Sequence, residues 1–185
     1  MASRVNHPHM PEQDKAPLKD GRVAIIRLAR PGDAESEVEL ESAVGGEGLY
    51  IDEDKSERSV EEMRDDLAEA ETRSKLRLVA EVDGRFAGSI GLARGHYAKN
   101  SHTGSLGIYI HQEFRSLGIG EALMRGGIDW ARKVGLRKLT LGVFATNLRA
   151  IGLYRKVGFA EEARLKGHVM IRGEPVDRVF MTLWL

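Results

Sequence analysis

The chain has 185 residues, of which 42% are hydrophobic and 30% charged, and its 28 basic and 28 acidic side chains give no formal net charge. This length and composition predict one folded domain and exclude a disordered chain. The lack of cysteine excludes disulfides, thiolate metal sites and a cysteine nucleophile, and we take the cytoplasm as the expected location.

Hydrophobic periodicity and turn residues divide the chain into a polar tail and eleven elements. We expect residues 1–21 to form a flexible N-terminal tail and residues 22–185 to form a single domain. The first predicted elements are a strand at 22–29, a helix capped by Asp33, and a helix at 59–73 with a capping box at Ser59 and Glu62. Strands follow at 75–84, 85–95 and 103–110, and then a helix that ends near Val134. The last elements are a strand at 135–145, a helix at 146–157 and two strands around a turn at 172–175.

The order of these elements sets the expected fold class. Helices separate the later strands, which implies parallel crossovers, whereas an Asp-Gly turn after Val82 predicts an antiparallel hairpin. The predicted class is therefore α/β (α+β), with a mixed, mostly antiparallel sheet of seven strands flanked by about four helices.

Charge is segregated along the chain although its sum is zero. Residues 33–71 contain 16 acidic and three basic side chains, and residues 115–166 contain 11 basic and four acidic ones. Two sets of solvated helix faces would explain this pattern. The alternative is that the first half attracts a cation and the second an anion.

The stretch HQEFRSLGIGEALM at 111–124 links the end of a predicted strand to the start of a helix. The first N–H groups of a helix lack intrahelical partners and lie at the positive end of its dipole, so such a turn can bind phosphate. Gly118 and Gly120 would let a pyrophosphate approach, and Arg115 would add positive charge. Glycines that serve only a tight turn are the alternative.

Two segments together resemble the signatures of a known family. GIYIHQEFRSLGIGEALM and, about 30 residues later, TNLRAIGLYRKVGF are similar to the conserved segments of the GNAT superfamily of acetyl-CoA-dependent N-acetyltransferases. The resemblance covers about residues 22–185. It implies the GNAT fold, in which two central parallel strands splay apart, and acetyl-CoA as co-substrate.

The resemblance also implies a cofactor site. The pyrophosphate would rest on backbone N–H groups of the turn, and the pantetheine arm would pair with the preceding strand. The residues implied in binding are Ile108, Tyr109, Ile110, Arg115, Ser116, Leu117, Gly118, Ile119, Gly120, Glu121, Asn147, Ala150 and Tyr154.

The implied reaction is attack of an amine on the thioester carbonyl. Negative charge develops on the carbonyl oxygen, and a fixed backbone N–H stabilises such an oxyanion well. By resemblance, the N–H of Ile110 is this donor, and Tyr154 is the general acid that protonates the leaving sulfur. The alternative for Tyr154 is a core tyrosine without a chemical role.

The general base is the least defined part of the predicted site. Many GNAT members carry a glutamate on the strand before the phosphate turn, but the strand TGSLGIYI here has no carboxylate. Glu81, His102 and His111 are the nearest candidates, and we predict that Glu81 or His102 is the general base. Histidine is attractive because its ordinary pKa lies near neutrality. A water chain without a dedicated base is the alternative.

The expected acceptor is a primary amine. In the family, the first two helices wall the acceptor side, so the acid excess of 33–71 predicts a cationic acceptor such as a polyamine, an amino-sugar antibiotic or a peptide N-terminus. Two other functions fit the sequence. One is a catalytically inactive CoA-binding sensor, and the other is a structural or interaction protein whose glycine turn binds no ligand. A homodimer through the last strand is possible.

Other partners are not expected. The basic run RKVGLRK lacks interleaved aromatic residues, which argues against nucleic-acid binding. No apolar run approaches the roughly 20 residues that span a bilayer. His96, His102 and His111 lack the spacing of metal ligands, so no metal is predicted.

Overall fold

A computed structural model describes residues 13–52 and 58–185. The strands are β1 (Asp14–Pro17), β2 (Val23–Leu28), β3 (Lys75–Val82), β4 (Arg85–Arg94), β5 (Thr103–Ile110), β6 (Lys138–Phe144), β7 (Ala160–Ile171) and β8 (Glu174–Trp184). The α-helices of these residues are α1 (Ala34–Gly46), α2 (Val60–Leu67), α3 (Ile119–Lys133) and α4 (Leu148–Lys156), with short 3-10 turns at Pro31–Asp33 and Gln112–Phe114.

All eight strands form one mixed sheet in the order β1-β2-β3-β4-β5-β6-β8-β7. The β5–β6 pair is parallel, and the other neighbouring pairs are antiparallel. This confirms the predicted class and the mostly antiparallel sheet, with one strand more than predicted.

The additional strand, β1, lies within the predicted tail. Its four residues pair with β2 from Asp14 opposite Ile26 to Pro17 opposite Val23. Three of its side chains are exposed, so its sequence has no hydrophobic pattern that would predict a strand. The prediction of a tail reaching residue 21 is therefore wrong for β1. Residues 1–12 lie outside the described part of the chain.

The parallel strands β5 and β6 pair over only three residues. Thr103–Ser105 are in register with Lys138–Thr140, and no pairing is formed beyond them although β5 continues to Ile110. The two strands therefore diverge toward the carboxyl end of β5. The gap between them lies beside the turn that leads into α3.

The N-terminus of α2 has a side-chain cap, whereas that of α1 has none. Ser59 and Glu62 form the predicted capping box of α2, with the Glu62 N–H donating to Ser59 Oγ over 3.2 Å. Asp33 occupies the N-cap position of α1, but its side chain makes no cap hydrogen bond there. It accepts from the N–H of Arg30 and from the Arg27 guanidinium instead.

Candidate active site

The turn before α3 is shaped by two residues in the left-handed region. Ser116 has a φ of 66° and Gly118 a φ of 110°, after which α3 begins at Ile119. The Ala122 N–H donates to Gly118 O over 3.2 Å, as the first hydrogen bond of the helix. Among the described residues, none accepts a hydrogen bond from the five preceding N–H groups, which belong to Leu117, Gly118, Ile119, Gly120 and Glu121. Consecutive bare N–H groups in such a turn form an anion-binding nest.

Arg115 is held beside this turn by its own contacts. Its N–H donates to Gln112 O over 3.3 Å and so is not one of the bare N–H groups of the turn. Its guanidinium is paired with the Glu47 carboxylate, donates from Nε to Ile110 O over 2.9 Å and lies over the Tyr50 ring. The positive charge of Arg115 is thus already balanced by a carboxylate.

The two glycines of the turn serve different purposes. A Cβ on Gly118 would meet no atom within 4 Å, but its positive φ is one that other residues rarely adopt. Gly120 has ordinary helical geometry, and a Cβ there would lie 2.9 Å from Leu153 Cδ2. Gly120 therefore lets α4 pack closely on α3, a reason that the sequence analysis did not give.

The open edge of β5 faces the gap. The His111 N–H donates to Ala87 O and the Gly95 N–H to Thr103 O, so the odd-numbered residues of β5 bond to β4. In an antiparallel pair, the alternate residues point their N–H and C=O groups the other way. Ile108 and the Ile110 N–H therefore face the divergent part of β6, as a pantetheine arm and an oxyanion would require, whereas Ile110 O accepts from Arg115 Nε.

One cavity of about 560 Å³ connects these features. Eleven of the thirteen predicted cofactor residues line it: Ile108, Tyr109, Ile110, Arg115, Ser116, Gly118, Gly120, Glu121, Asn147, Ala150 and Tyr154. The side chains of Leu117 and Ile119 pack against the core instead. The strand edge, the turn and α4 thus border the same space.

Tyr154 reaches the cavity from a buried position on α4. Its side chain is only 7% exposed, and its ring centroid lies 6.2 Å from that of Phe159. Burial, reinforced by the nearby Tyr109, raises the pKa of the Tyr154 phenol above its ordinary value of 10.0. The phenol therefore stays protonated at neutral pH, as a proton donor must.

Asn147 has a structural role at the start of α4. Its Oδ1 accepts a hydrogen bond from the Ala150 N–H over 3.2 Å and so caps the helix. Its side-chain amide N–H groups are the donors that remain for a ligand in the cavity. The same residue thus fixes the helix that carries Tyr154.

The three candidate bases do not border the cavity. Glu81 is bound by the guanidinium of Arg27, with Nε 3.2 Å from Oε1. His102 is exposed and precedes Thr103, at the opposite end of β5 from Ile110. His111 begins the 3-10 turn. None of the three candidates therefore shares the cavity lining with Tyr154.

Several residues that border the cavity were missed. Lys19, Tyr50, Asp52, Arg149 and Arg178 all line it. They come from the turn after β1, the segment after α1, the first turn of α4 and from β8. No local motif marks them, because only the folded chain brings these distant segments together.

Six acids of the acid-rich segment form ion pairs within the described chain. Its pairs join Asp33 to Arg27, Glu37 and Glu41 to Arg77, Glu41 to Arg58, Asp66 to Lys75, Glu47 to Arg115, and Asp52 to Arg178. Residues 53–57, which include three of the counted acids, lie outside the described residues. Within 13–52 and 58–185, no group of three or more histidine, aspartate or glutamate side chains could hold a metal ion.

Comparison with known proteins agrees with this geometry. The acetyltransferase (GNAT) family matches residues 46–159, more than half of the chain. Streptothricin acetyltransferase of Streptomyces lavendulae is 31% identical over 159 residues, which cover 76% of this chain and 83% of that protein. The L-amino acid N-acetyltransferase AaaT of Escherichia coli is 32% identical over 108 residues, 56% of this chain and 65% of that protein.

A solved structure supports the same assignment. The acetyltransferase of the GNAT family from Streptococcus pneumoniae superposes with a TM-score of 0.82 at 28% identity, covering 88% of this chain and 99% of that one. The chain therefore belongs to the GNAT acetyltransferase family. In the part of the chain that the structure describes, no helix is both long and apolar enough to cross a membrane.

Proposed function

We propose that this protein transfers the acetyl group of acetyl-CoA to a primary amine by direct attack on the thioester. The observation that carries the proposal is the convergence of three features on one cavity: the bare N–H groups of the turn, the open edge of β5 and the protonated phenol of Tyr154. Each suits a different part of the acetyl-CoA molecule.

The turn and its neighbours suit the phosphates of the substrate. The N–H groups of residues 117–121 would receive the pyrophosphate at the positive end of α3. Lys19 and Arg149 line the cavity and have no acidic partner among the described residues. We assign both to the phosphate groups, because they are cations near an anion-binding turn.

The open strand edge and the phenol suit the reacting atoms. The Ile110 N–H would stabilise the negative charge that develops on the carbonyl oxygen, and Tyr154 would donate its proton to the departing sulfur. The neutral amine nitrogen gains the acetyl group and loses one proton, and the Tyr154 phenolate regains one proton from water, so that the step balances. Since no candidate base borders the cavity, we assign the proton lost by the amine to water that enters from the solvent.

Titration and turnover test this proposal separately. Calorimetric titration with acetyl-CoA is expected to show binding at one site per chain, and thiol release with a panel of amines is expected to show turnover. Binding without turnover on any amine would support the alternative of a catalytically inactive CoA-binding sensor. Absence of binding would contradict both functions.

The predicted preference for a cationic acceptor can be compared with the acids that line the cavity. The acid excess of 33–71 predicted a cationic acceptor, but the two acids that line the cavity are already paired, Asp52 with Arg178 and Glu121 with Lys156. A cationic acceptor would have to compete with Arg178 and Lys156 for these two acids. Acetylation of polyamines and amino sugars at low and high salt would test the predicted preference directly.

The last strand, β8, lies between β6 and β7, so the prediction that it pairs with a second copy is wrong. We propose a homodimer through β7 instead, and we keep the cytoplasm as the proposed location. β7 is one of the two edge strands of the sheet and is exposed along most of its length. On β7, the large apolar residues Leu165 and Met170 are 40% and 66% exposed. Exposed strand edges invite pairing with another chain. Sedimentation equilibrium is expected to show two chains, and L165K is expected to shift the protein to the monomer.

A further inference from the structure

Arg178 is a fixed guanidinium in the wall of the cavity. On β8 it alternates with Val179, which is buried in the core, so Arg178 lies on the opposite face of the sheet. Its guanidinium carbon is 5.7 Å from the centroid of Phe144. A Cβ on Gly142 would lie 3.2 Å from its Nε, so the bare backbone of Gly142 gives the group room against β6.

The bonding of Arg178 is incomplete. Its Nη2 lies 2.7 Å from Oδ2 of Asp52, whereas its buried Nε has no hydrogen-bond partner in the described structure. The Asp52 side chain is 43% exposed. Ion pairs with such an exposed partner contribute little net free energy, so another carboxylate can replace Asp52 at small cost.

The remaining charges of the cavity favour an anion over a further cation. Glu121, the other acid in the lining, already accepts from Lys156 and Arg125. A cationic acceptor would therefore compete with protein cations for each carboxylate, whereas an acceptor carboxylate can use donors that Arg178 already presents.

The position of Arg178 suits an acceptor. Gly142 and Phe144, against which it packs, belong to β6, the strand that diverges from β5. Arg178 and Ile110 line the same cavity. A small molecule anchored at Arg178 lies at the margin of the gap that the Ile110 N–H faces.

We propose that the acceptor is a primary amine that also carries a carboxylate, as α-amino acids do, and that Arg178 binds this carboxylate in the place of Asp52. This inference rests on the proposed acetyl transfer and narrows its acceptor class. Arg178 then determines specificity and takes no part in the proton transfers.

Paired substrates test the inference on the unmodified protein. Thiol release is measured with L-amino acids and with their carboxamides, which keep the amine but lose the negative charge. We expect kcat/KM to favour the acids by about 100-fold, since a site built to pair a polar group rejects the analogue that lacks it. D52N is expected to lower KM for the acids, because it removes the competing carboxylate.

Variants of Arg178 provide the matched comparison. R178Q is expected to raise KM for the acids by about 100-fold, to abolish the preference over carboxamides and to leave KM for acetyl-CoA unchanged. R178K is expected to restore part of the preference. R164Q is the control, because Arg164 on β7 pairs with Glu161 and Asp177 and does not border the cavity.

The outcomes separate this inference from the proposed function. Equal use of acids and carboxamides, or turnover on polyamines alone, would overturn the inference and leave acetyl transfer intact. Binding of acetyl-CoA without acetylation of any acid would also overturn it. Failure to bind acetyl-CoA would overturn the proposed function itself. If R178Q does not fold, R178K and the comparison of acids with carboxamides on the wild-type protein still test the inference.

Discussion

The guanidinium of Arg115 and the carboxylate of Glu47 form a two-bonded ion pair, in which Nη1 lies 2.7 Å from Oε2. The pair joins the segment after α1 to the turn before α3. Arg115 also holds Ile110 O through its Nε over 2.9 Å. One side chain thus fixes the position of the turn relative to the end of β5.

Loss of this pair is expected to loosen the turn. E47Q should lower the free energy of unfolding by about 2 kcal/mol, between the values typical of exposed and buried pairs, because Arg115 is only 10% exposed. KM for acetyl-CoA should rise. Urea denaturation and initial-rate kinetics measure the two effects.

E113Q is the matched control for E47Q. Glu113 makes a similar two-bonded pair with Arg85, but both side chains are largely exposed. We expect E113Q to cost less than about 1 kcal/mol and to leave KM unchanged. Equal effects of the two substitutions would show that the Glu47 pair has no positioning role.

Y154F is expected to lower kcat by about 100-fold or more, since loss of a general acid typically costs that much. Acetyl-CoA affinity and the unfolding midpoint should change little, because the ring remains in place. Steady-state kinetics and calorimetry provide the two measurements. Y97F is the control, since Tyr97 is 77% exposed. Undiminished turnover in Y154F would remove Tyr154 from the mechanism.

G118A is expected to disturb the turn through the backbone alone. The φ of 110° at Gly118 costs other residues about 1–3 kcal/mol, so we expect reduced stability and weaker acetyl-CoA binding. G46A is the control, since a Cβ on this helical glycine would meet no atom within 4 Å. We expect G46A to be neutral or stabilising by up to about 1 kcal/mol. Equal acetyl-CoA affinity in both variants would argue against the turn as the phosphate site.

Glu37 is expected to make stability depend on pH. It is fully buried, and burial raises the pKa of its carboxyl above the ordinary 4.5, although Arg77 and the Ser89 hydroxyl favour the charged form. A raised native pKa means that the folded state binds the proton more tightly. The stabilisation from this group is therefore complete below pH 4.5 and is lost as the pH rises through the native pKa.

E37Q should remove that pH dependence. The unfolding free energy of E37Q relative to the wild type is expected to increase as the pH rises from about 4 to 8. Urea denaturation across this range measures it. E35Q, at an exposed position of the same helix, is the control for a Glu-to-Gln substitution in α1. A difference between E37Q and the wild type that stays constant with pH would contradict the raised pKa.

Much of the fold could be predicted from the sequence because its signals are local. The capping box of α2 needs only Ser59 and Glu62, three residues apart, and the turn before α3 needs glycine at 118 because of its backbone geometry. Alternating or helical hydrophobic spacing located the other strands and helices. β1 was not predicted, because its position depends on backbone pairing with β2 and its side chains show no hydrophobic pattern.

The site could be predicted only where one segment carries it. Ile110, Gly118 and Tyr154 follow from the two motifs, and each borders the cavity. Glu81 was a reasonable candidate base by sequence, but Arg27 on the neighbouring strand binds its carboxylate. The sequence contains no signal for this pairing, since it depends on strand register.

The sequence alone determined the family, the order of strands and helices from β2 onward and the glycine turn before α3, because these depend on residues that lie close together in the chain. The tertiary structure decided which charges remain available in the cavity. Asp52 and Arg178 lie far apart in sequence and meet only across the folded sheet. Electrostatic attraction acts through space, so the composition of a segment shows how many charges it has but not which of them are already paired.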